Sequence, residues 1–357
     1  MAEVSLCMIV RNEEKVLGRC LSSVKDLVDE IIIADTGSED STKKIARSMG
    51  AKVYDFVWND NFSDARNFSF SKAECEYQFW LDADDVIENV NREKFLRIKE
   101  NLSADVVMLP YHTAFDENGK PVFTFRRERI LRRDMGFRWE GAVHECITPR
   151  GNIICGDAAI SHRKEKHGRS LRNLRIYQKL KAEGHEFSGR ELYYYGRELA
   201  DHEAYKAAIG VFEEYLNRKD AWQPDCREAC LRMAECYKAY GNISGAKKAA
   251  VRGLEYGVPI PELCCCLGGI YLDERKYHEA IYWYKAAVSA GENRSEDQGF
   301  VRQDYSLLIP AIQLCLCYDR MGMEKEAYYW HNTAMSERPE HPSCKYNEEY
   351  FKSKRHR

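Results

Sequence analysis

The sequence predicts an α/β domain with a Rossmann-like parallel sheet, followed by an all-α domain of stacked helix pairs. Three observations carry this. Short β-rich runs alternate with amphipathic helical segments up to about residue 110, which is the pattern of βαβ units. Strand patterns vanish after about Ser170. The helical remainder then resembles itself at intervals near those of stacked repeats.

Residues 5–10 (SLCMIV) read as the first strand, and 16–24 follow as a helix with Val16, Leu17, Leu21 and Val24 on one face. Residues 30–34 (EIIIA) make the second strand. Ser41 precedes the helix TKKIARSMG, whose apolar side is Ile45, Ala46 and Met49 and whose stop is Gly50. Residues 51–56 and 77–81 supply two more strands. Between about 105 and 160 the pattern turns to strand pairs, with Asn118-Gly119 as a hairpin turn between 106–113 and 122–125.

In the helical part, Ala208, Ala246, Ala280 and Ala327 are small residues separated by 38, 34 and 47 positions. Twelve positions upstream of each stand Gly196, Ala234, Gly268 and Cys315, and nine upstream stand Leu199, Tyr237, Tyr271 and Tyr318. Small and aromatic residues at these places are where paired helices pack in tetratricopeptide repeats, whose period is about 34 residues. The polar stretch 291–303 absorbs the longer last interval as a loop. Three consecutive tyrosines, Tyr193, Tyr194 and Tyr195, must point to different sides of their helix, so at least one is core. Domain boundaries are expected at 1–165, 166–345 and a basic tail at 346–357.

Composition narrows the function. With 357 residues, two or three domains are expected. Lys+Arg 54 against Asp+Glu 57 leaves a net charge of −3, so no global basic field favours nucleic acid. No apolar run approaches the roughly 18 to 20 residues that a bilayer crossing needs, and the start of the chain lacks an export signal. The 14 cysteines are scattered; Cys226 to Cys230 and Cys315 to Cys317 do not make paired zinc-binding units, and a reduced, cytoplasmic protein is expected.

Ligands of open α/β sheets bind at the carboxyl ends of the strands, and the conspicuous polar groups fall there. Arg11-Asn12-Glu13-Glu14 follows the first strand, Asp35-Thr36-Gly37-Ser38 the second, and Asp82-Ala83-Asp84-Asp85 the fourth. Like charges this close raise one another's pKa, and a divalent cation, Mg2+ or Mn2+, relieves the conflict while taking phosphate oxygens of a substrate. No glycine-rich phosphate cradle of the dinucleotide or P-loop kind is present. Phosphate must then be held by metal and side chains, with Arg66 as the candidate clamp.

These segments resemble a known family. Val10-Arg11-Asn12-Glu13-Glu14, Ile33 to Ser38 with Asp40 and Thr42, Asn61 to Asn67, and Trp80 to Asp85 are similar to family 2 glycosyltransferases of the GT-A fold. The subgroup resembled has a C-terminal tetratricopeptide region and includes the sublancin-type peptide S-glycosyltransferases. The resemblance implies that Val10 and Arg11 line the base pocket, with Glu13 beside the donor, and that Asp35 accepts a hydrogen bond from uracil. It further implies that Asp82 faces the ribose and the metal shell and that Asp84 binds the cation directly. Many members carry an aromatic residue where this sequence has Arg11.

The segment from Phe137 to Glu145 is similar to a WEGxxHE stretch of the subgroup, making Glu145 the first candidate for the base and Glu140 the second. Ile160-Ser161-His162 resembles the last strand of the GT-A domain, where a histidine completes the metal shell; His144 competes with His162 for that role. Lys164 and Lys166 follow it as lesser candidates for holding phosphate. The implied activity is inverting, metal-dependent transfer of a hexose or N-acetylhexosamine from a UDP-sugar to a protein or peptide side chain, Ser/Thr or Cys. Alternatives are a lipid-linked or lipopolysaccharide sugar acceptor and, in another class, a non-catalytic repeat scaffold. The repeats are expected to select the acceptor or to form a homodimer.

Overall fold

We describe the chain from a computed structural model that places residues 1–116, 119–164, 170–293 and 301–355. It divides into two compact units, Met1–His185 and Glu186–Arg357. The first is a mixed, GT-A-like sheet with helices on both faces. β1 (Val4–Val10), β2 (Glu30–Asp35), β3 (Lys52–Asp55) and β4 (Tyr77–Trp80) are parallel. The sheet order places β1 between β2 and β4, then continues through β7 (Pro121–Arg132), β6 (Val106–Phe115), β9 (Ile160–His162) and β5 (Asp85–Val86). β8 (Ile153–Cys155) pairs with β6.

β1 is apolar but for the buried Ser5, whose hydroxyl donates to Glu30, because both of its faces are covered. Leu6, Met8 and Val10 join one core with Leu17 and Leu21 of α1 (Leu17–Val24), Ala46 of α2 (Thr42–Ser48) and Phe95 of α4 (Asn89–Glu100). Cys7 turns the other way, to Ile32, Trp80, Trp139 and Phe70 of α3 (Phe62–Ser71). This period of two along a strand is what divides the core into two layers.

β7 runs to Arg132 and is far longer than the expected strand of 122–125. Its continuation, Arg126 to Arg132, reads as polar in sequence, yet it lies inside the sheet between β4 and β6. Internal partners accommodate its charges: Arg129 meets Asp85 at 3.1 Å and Arg127 meets Glu128 at 2.9 Å. At the expected hairpin, Gly119 has φ of +78°, while Asn118 lies outside the described residues, as do Lys166 and most of the expected loop 291–303.

The first unit also runs beyond the expected boundary at 165, through α5 (Arg172–Ala182). Within it, Tyr177 donates to the Val143 carbonyl and Lys179 pairs with Asp60 at 2.7 Å.

The second unit pairs α6 (Gly189–Asp201) with α7 (Tyr205–Leu216), α8 (Gln223–Ala239) with α9 (Ile243–Arg252), α10 (Pro261–Asp273) with α11 (Tyr277–Glu292), and α12 (Leu308–Arg320) with α13 (Glu324–Glu337). Ala208, Ala246, Ala280 and Ala327 are all fully buried on the second helix of their pairs. The upstream glycines allow close approach: a Cβ at Gly196 would sit 2.6 Å from the Phe212 ring, and one at Gly268 2.8 Å from Tyr284. Gly196→Ala and Gly268→Ala are therefore expected to destabilise this unit by about 1–3 kcal/mol each through overpacking. Gly210→Ala, on an open face of α7, should instead gain up to about 1 kcal/mol of helix propensity. Urea denaturation of the three variants checks the contrast, and equal effects would refute the packing role.

The expected basic tail is a helix, α14 (Pro342–Arg355). Cys344 and Phe351 are buried on one side of it, and Lys354 is held by Asp319 at 3.1 Å and Glu324 at 2.9 Å. All the cysteines are unpaired, and Cys155 alone is exposed.

Candidate active site

The loops after β1 and β2 are laced together by side chain to backbone bonds. Ser38 Oγ accepts from the Asn12 N–H at 2.9 Å, Asn12 Oδ1 from the Glu39 N–H at 2.8 Å, Thr42 Oγ1 from the Glu13 N–H at 2.8 Å, and Glu14 from the Ser41 N–H at 3.0 Å. Asn12 and Gly37 adopt left-handed φ of 52° and 101° to make the turns, a region that Gly and Asn tolerate best. Much of both motifs is thus spent on building the loops.

Asp35 ends β2 directly beside Val10. Its carboxyl is fully buried. Oδ1 accepts from the Gly37 and Ser38 N–H groups at 3.0 and 2.8 Å, whereas Oδ2 is buried without a partner. A buried acceptor left this way is costly unless a ligand donor completes it.

At the end of β4, Arg66 joins two acids that lie far apart in sequence. Its Nη2 donates to Asp82 at 2.7 Å and its Nε to Glu145 at 2.6 Å. The guanidinium lies 5.1 Å from the Trp80 ring centroid and 4.7 Å from that of Trp139. Burial opposes its charge, but Asp82 and Glu145 outweigh burial and hold it firmly protonated. Burial likewise works against the Asp82 carboxylate, yet Arg66 and then Arg129 prevail and bring its pKa down to about 2. Arg66 is therefore engaged by side chains, and a free phosphate clamp, as expected from sequence, is not what the geometry presents.

The next two acids differ. Asp84 keeps its side chain 27% exposed and Asp85 is fully buried. Burial raises the Asp84 pKa against the pull of His162, and Asp82 and Asp85 add to the rise. His162 Nδ1 lies 3.4 Å from Asp84 Oδ1 and 3.2 Å from Asp85 Oδ1. Burial lowers the His162 pKa, but the bond to Asp85 and the charge of Asp84 more than reverse it. One ligand atom each from Asp84, Asp85 and His162 falls within 4.8 Å of the others, and carboxylate oxygens with an imidazole nitrogen fit a divalent cation.

A cavity of about 390 Å3 is lined by Val10, Arg11, Glu13, Arg66, Asp82, Asp84, His144 and Glu145, among others, while Asp35, Asp85 and His162 are not part of its lining. The structure does not bring Glu140 or Lys164 there: both are exposed, and Glu140 forms a backbone bridge with Cys146. Sequence reasoning missed Tyr111, Arg127 and Trp58 in the lining and Arg129 beside Asp85, and it gave Asp85 no role of its own. The one signal for the arginines was the density of charge in 126–132, which only a strand with buried partners can accommodate.

Comparison with known proteins agrees with this architecture. Residues 5–152 match Glycosyl transferase family 2. A TPR repeat-containing protein of Synechococcus elongatus is 38% identical over 147 residues, which are 41% of this chain and 36% of that protein. The SPbeta prophage-derived glycosyltransferase SunS of Bacillus subtilis is 33% identical over 143 residues, 39% of this chain and 33% of SunS. The lipopolysaccharide core biosynthesis glycosyltransferase LpsC of Rhizobium meliloti is 28% identical over 163 residues, 42% of this chain and 58% of LpsC. The chain thus spans about a third of the length of the first two.

Proposed function

With residues 5–152 forming a glycosyltransferase family 2 domain ahead of tetratricopeptide-like helix pairs, we propose that the chain is a metal-dependent, inverting glycosyltransferase. It moves a hexose or N-acetylhexosamine from a UDP-sugar to a protein or peptide side chain, Ser/Thr or Cys. The observation that carries this is one cavity lined by both Asp84 and Glu145, with the unpartnered Asp35 Oδ2 at the end of β2, beside the lining residue Val10.

Asp35 Oδ2 accepts the imide N–H of uracil, and Val10 and Arg11 flank the base. Asp82, fixed by Arg66, receives a ribose hydroxyl. Asp84 and His162 hold the cation, Mn2+ or Mg2+, which when bound neutralises charge on the departing diphosphate. Glu145 is the base: Arg66 holds its Oε1, while its Oε2 takes the acceptor proton. The acceptor oxygen or sulfur then forms a bond to the anomeric carbon as the bond to the diphosphate breaks, and UDP leaves with inversion. Glu140 has no part in this.

Mass spectrometry of UDP released from a panel of UDP-sugars with Mn2+ tests the reading. Release from one donor, abolished by EDTA, is the expected result; no release or binding with any donor would favour a non-catalytic scaffold. The similarity to LpsC supports a second acceptor class, a lipopolysaccharide sugar, and parallel peptide and glycan acceptor assays separate the two. Among the described residues no helix is long and apolar enough to cross a membrane, and we place the reaction in the cytoplasm. The repeats select the acceptor or pair two copies; a solution mass of 41.5 kDa by light scattering would remove the pairing.

A further inference from the structure

Of the acids at the cation site, Asp85 is the one already saturated by protein donors. Its Oδ1 accepts from the Tyr111 hydroxyl at 2.8 Å and faces His162 Nδ1 at 3.2 Å. Its Oδ2 accepts from Arg129 Nη1 and from the Asp82 N–H, both at 3.1 Å. A cation bound to Asp85 would have to displace these donors and approach the buried Arg129 guanidinium, a like charge in a poorly solvated place. Asp84 has no such obstacle and borders the cavity.

The surroundings of His162 fix which ring nitrogen is free. Nδ1 has three oxygen neighbours, Tyr111 Oη at 3.0 Å, Asp85 Oδ1 at 3.2 Å and Asp84 Oδ1 at 3.4 Å. The Tyr111 proton is committed to Asp85, so each neighbour presents a lone pair to Nδ1 and the imidazole proton belongs there. Nε2 has no partner among the described residues and carries the lone pair, the arrangement in which a carboxylate orients a ligating histidine.

We infer that Asp85 and Tyr111 are positioning residues that hold His162 by Nδ1, so that the chain grips its cation through Asp84 and His162 Nε2, with Asp85 outside the ligand set. This rests on the metal-dependent reading above. It also accounts for Arg129, which is stacked 3.7 Å from the Trp80 centroid and 4.3 Å from that of Tyr111: it anchors Asp85 from behind.

The test uses the full chain, labelled with 15N-histidine and loaded with 113Cd2+, with His162→Gln to assign the signal. A one-bond cadmium coupling to Nε2, with the proton on Nδ1, is expected. In calorimetry, Asp85→Asn and Tyr111→Phe should each weaken Mn2+ binding about 10- to 100-fold, as loss of an orienting partner does. Tyr111→Phe keeps the ring against Arg129 and serves if Asp85→Asn fails to fold. Coupling to Nδ1, or Tyr111→Phe binding within about twofold of the unmodified chain, overturns the inference alone. No metal binding by the unmodified chain overturns it together with the metal-dependent reading.

Discussion

Asp84→Ala is expected to lower UDP release at saturating donor by about 10²- to 10³-fold, the scale of losing one electrostatic stabiliser of a transition state, while leaving the melting temperature unchanged or higher. The two parts follow from one observation. Burial first, and then the neighbouring Asp82 and Asp85, raise the Asp84 pKa, so removing Asp84 relieves repulsion in the folded chain while, on the proposed reading, it also removes a ligand of the cation. EDTA should have little further effect on the variant. Activity that survives the substitution in full, or a drop in stability as large as the drop in rate, would remove Asp84 from the metal assignment.

Arg66→Met is expected to have the opposite signature, with the fold itself weakened by about 3 kcal/mol. Breaking a buried pair from one side costs about 3–5 kcal/mol because an uncompensated charge remains. The lower end applies because the Asp82 side chain is 35% exposed, although that of Glu145 is only 11% exposed. Methionine keeps the volume between Trp80 and Trp139, so the loss reports charge rather than a cavity. Arg66→Lys restores the charge but not the planar fork that reaches both acids, and should recover only part of the stability. Urea unfolding of both variants checks this; a midpoint unchanged in Arg66→Met would mean that the bridge contributes nothing.

Much of the fold was legible because it is written in local periods. The apolar run of β1, the helix faces of α1 and α2, and the small residues Ala208 to Ala327 follow from burial patterns that a sequence displays directly. The strand-end rule likewise picked out Asp82 and Asp84, which line one cavity, and Asp35, which ends β2 beside Val10 of that lining. What escaped is non-local. The union of Arg66 with Glu145 spans 79 positions, and nothing near either residue announces it. Arg129 could not be assigned while 126–132 read as a polar stretch, since its role depends on Trp80, Tyr111 and Asp85, each from a different strand. Glu145 ranked ahead of Glu140 in sequence only by resemblance; the structure separates them physically, with Glu140 exposed and bridged to Cys146 and Glu145 at the cavity.

The lacing of the β1 and β2 loops makes them inseparable as units of change. Asn12 is satisfied by Ser38 and Glu39, Glu13 by Thr42, and Glu14 by Asp40 and Ser41, so a substitution in one loop strands a backbone N–H in the other. Positions 12–14 and 38–42 should therefore drift in concert among relatives, and donor preference could be transplanted between such proteins only by moving both loops as one cassette. A chimera that exchanged either loop alone would inherit half of each bond.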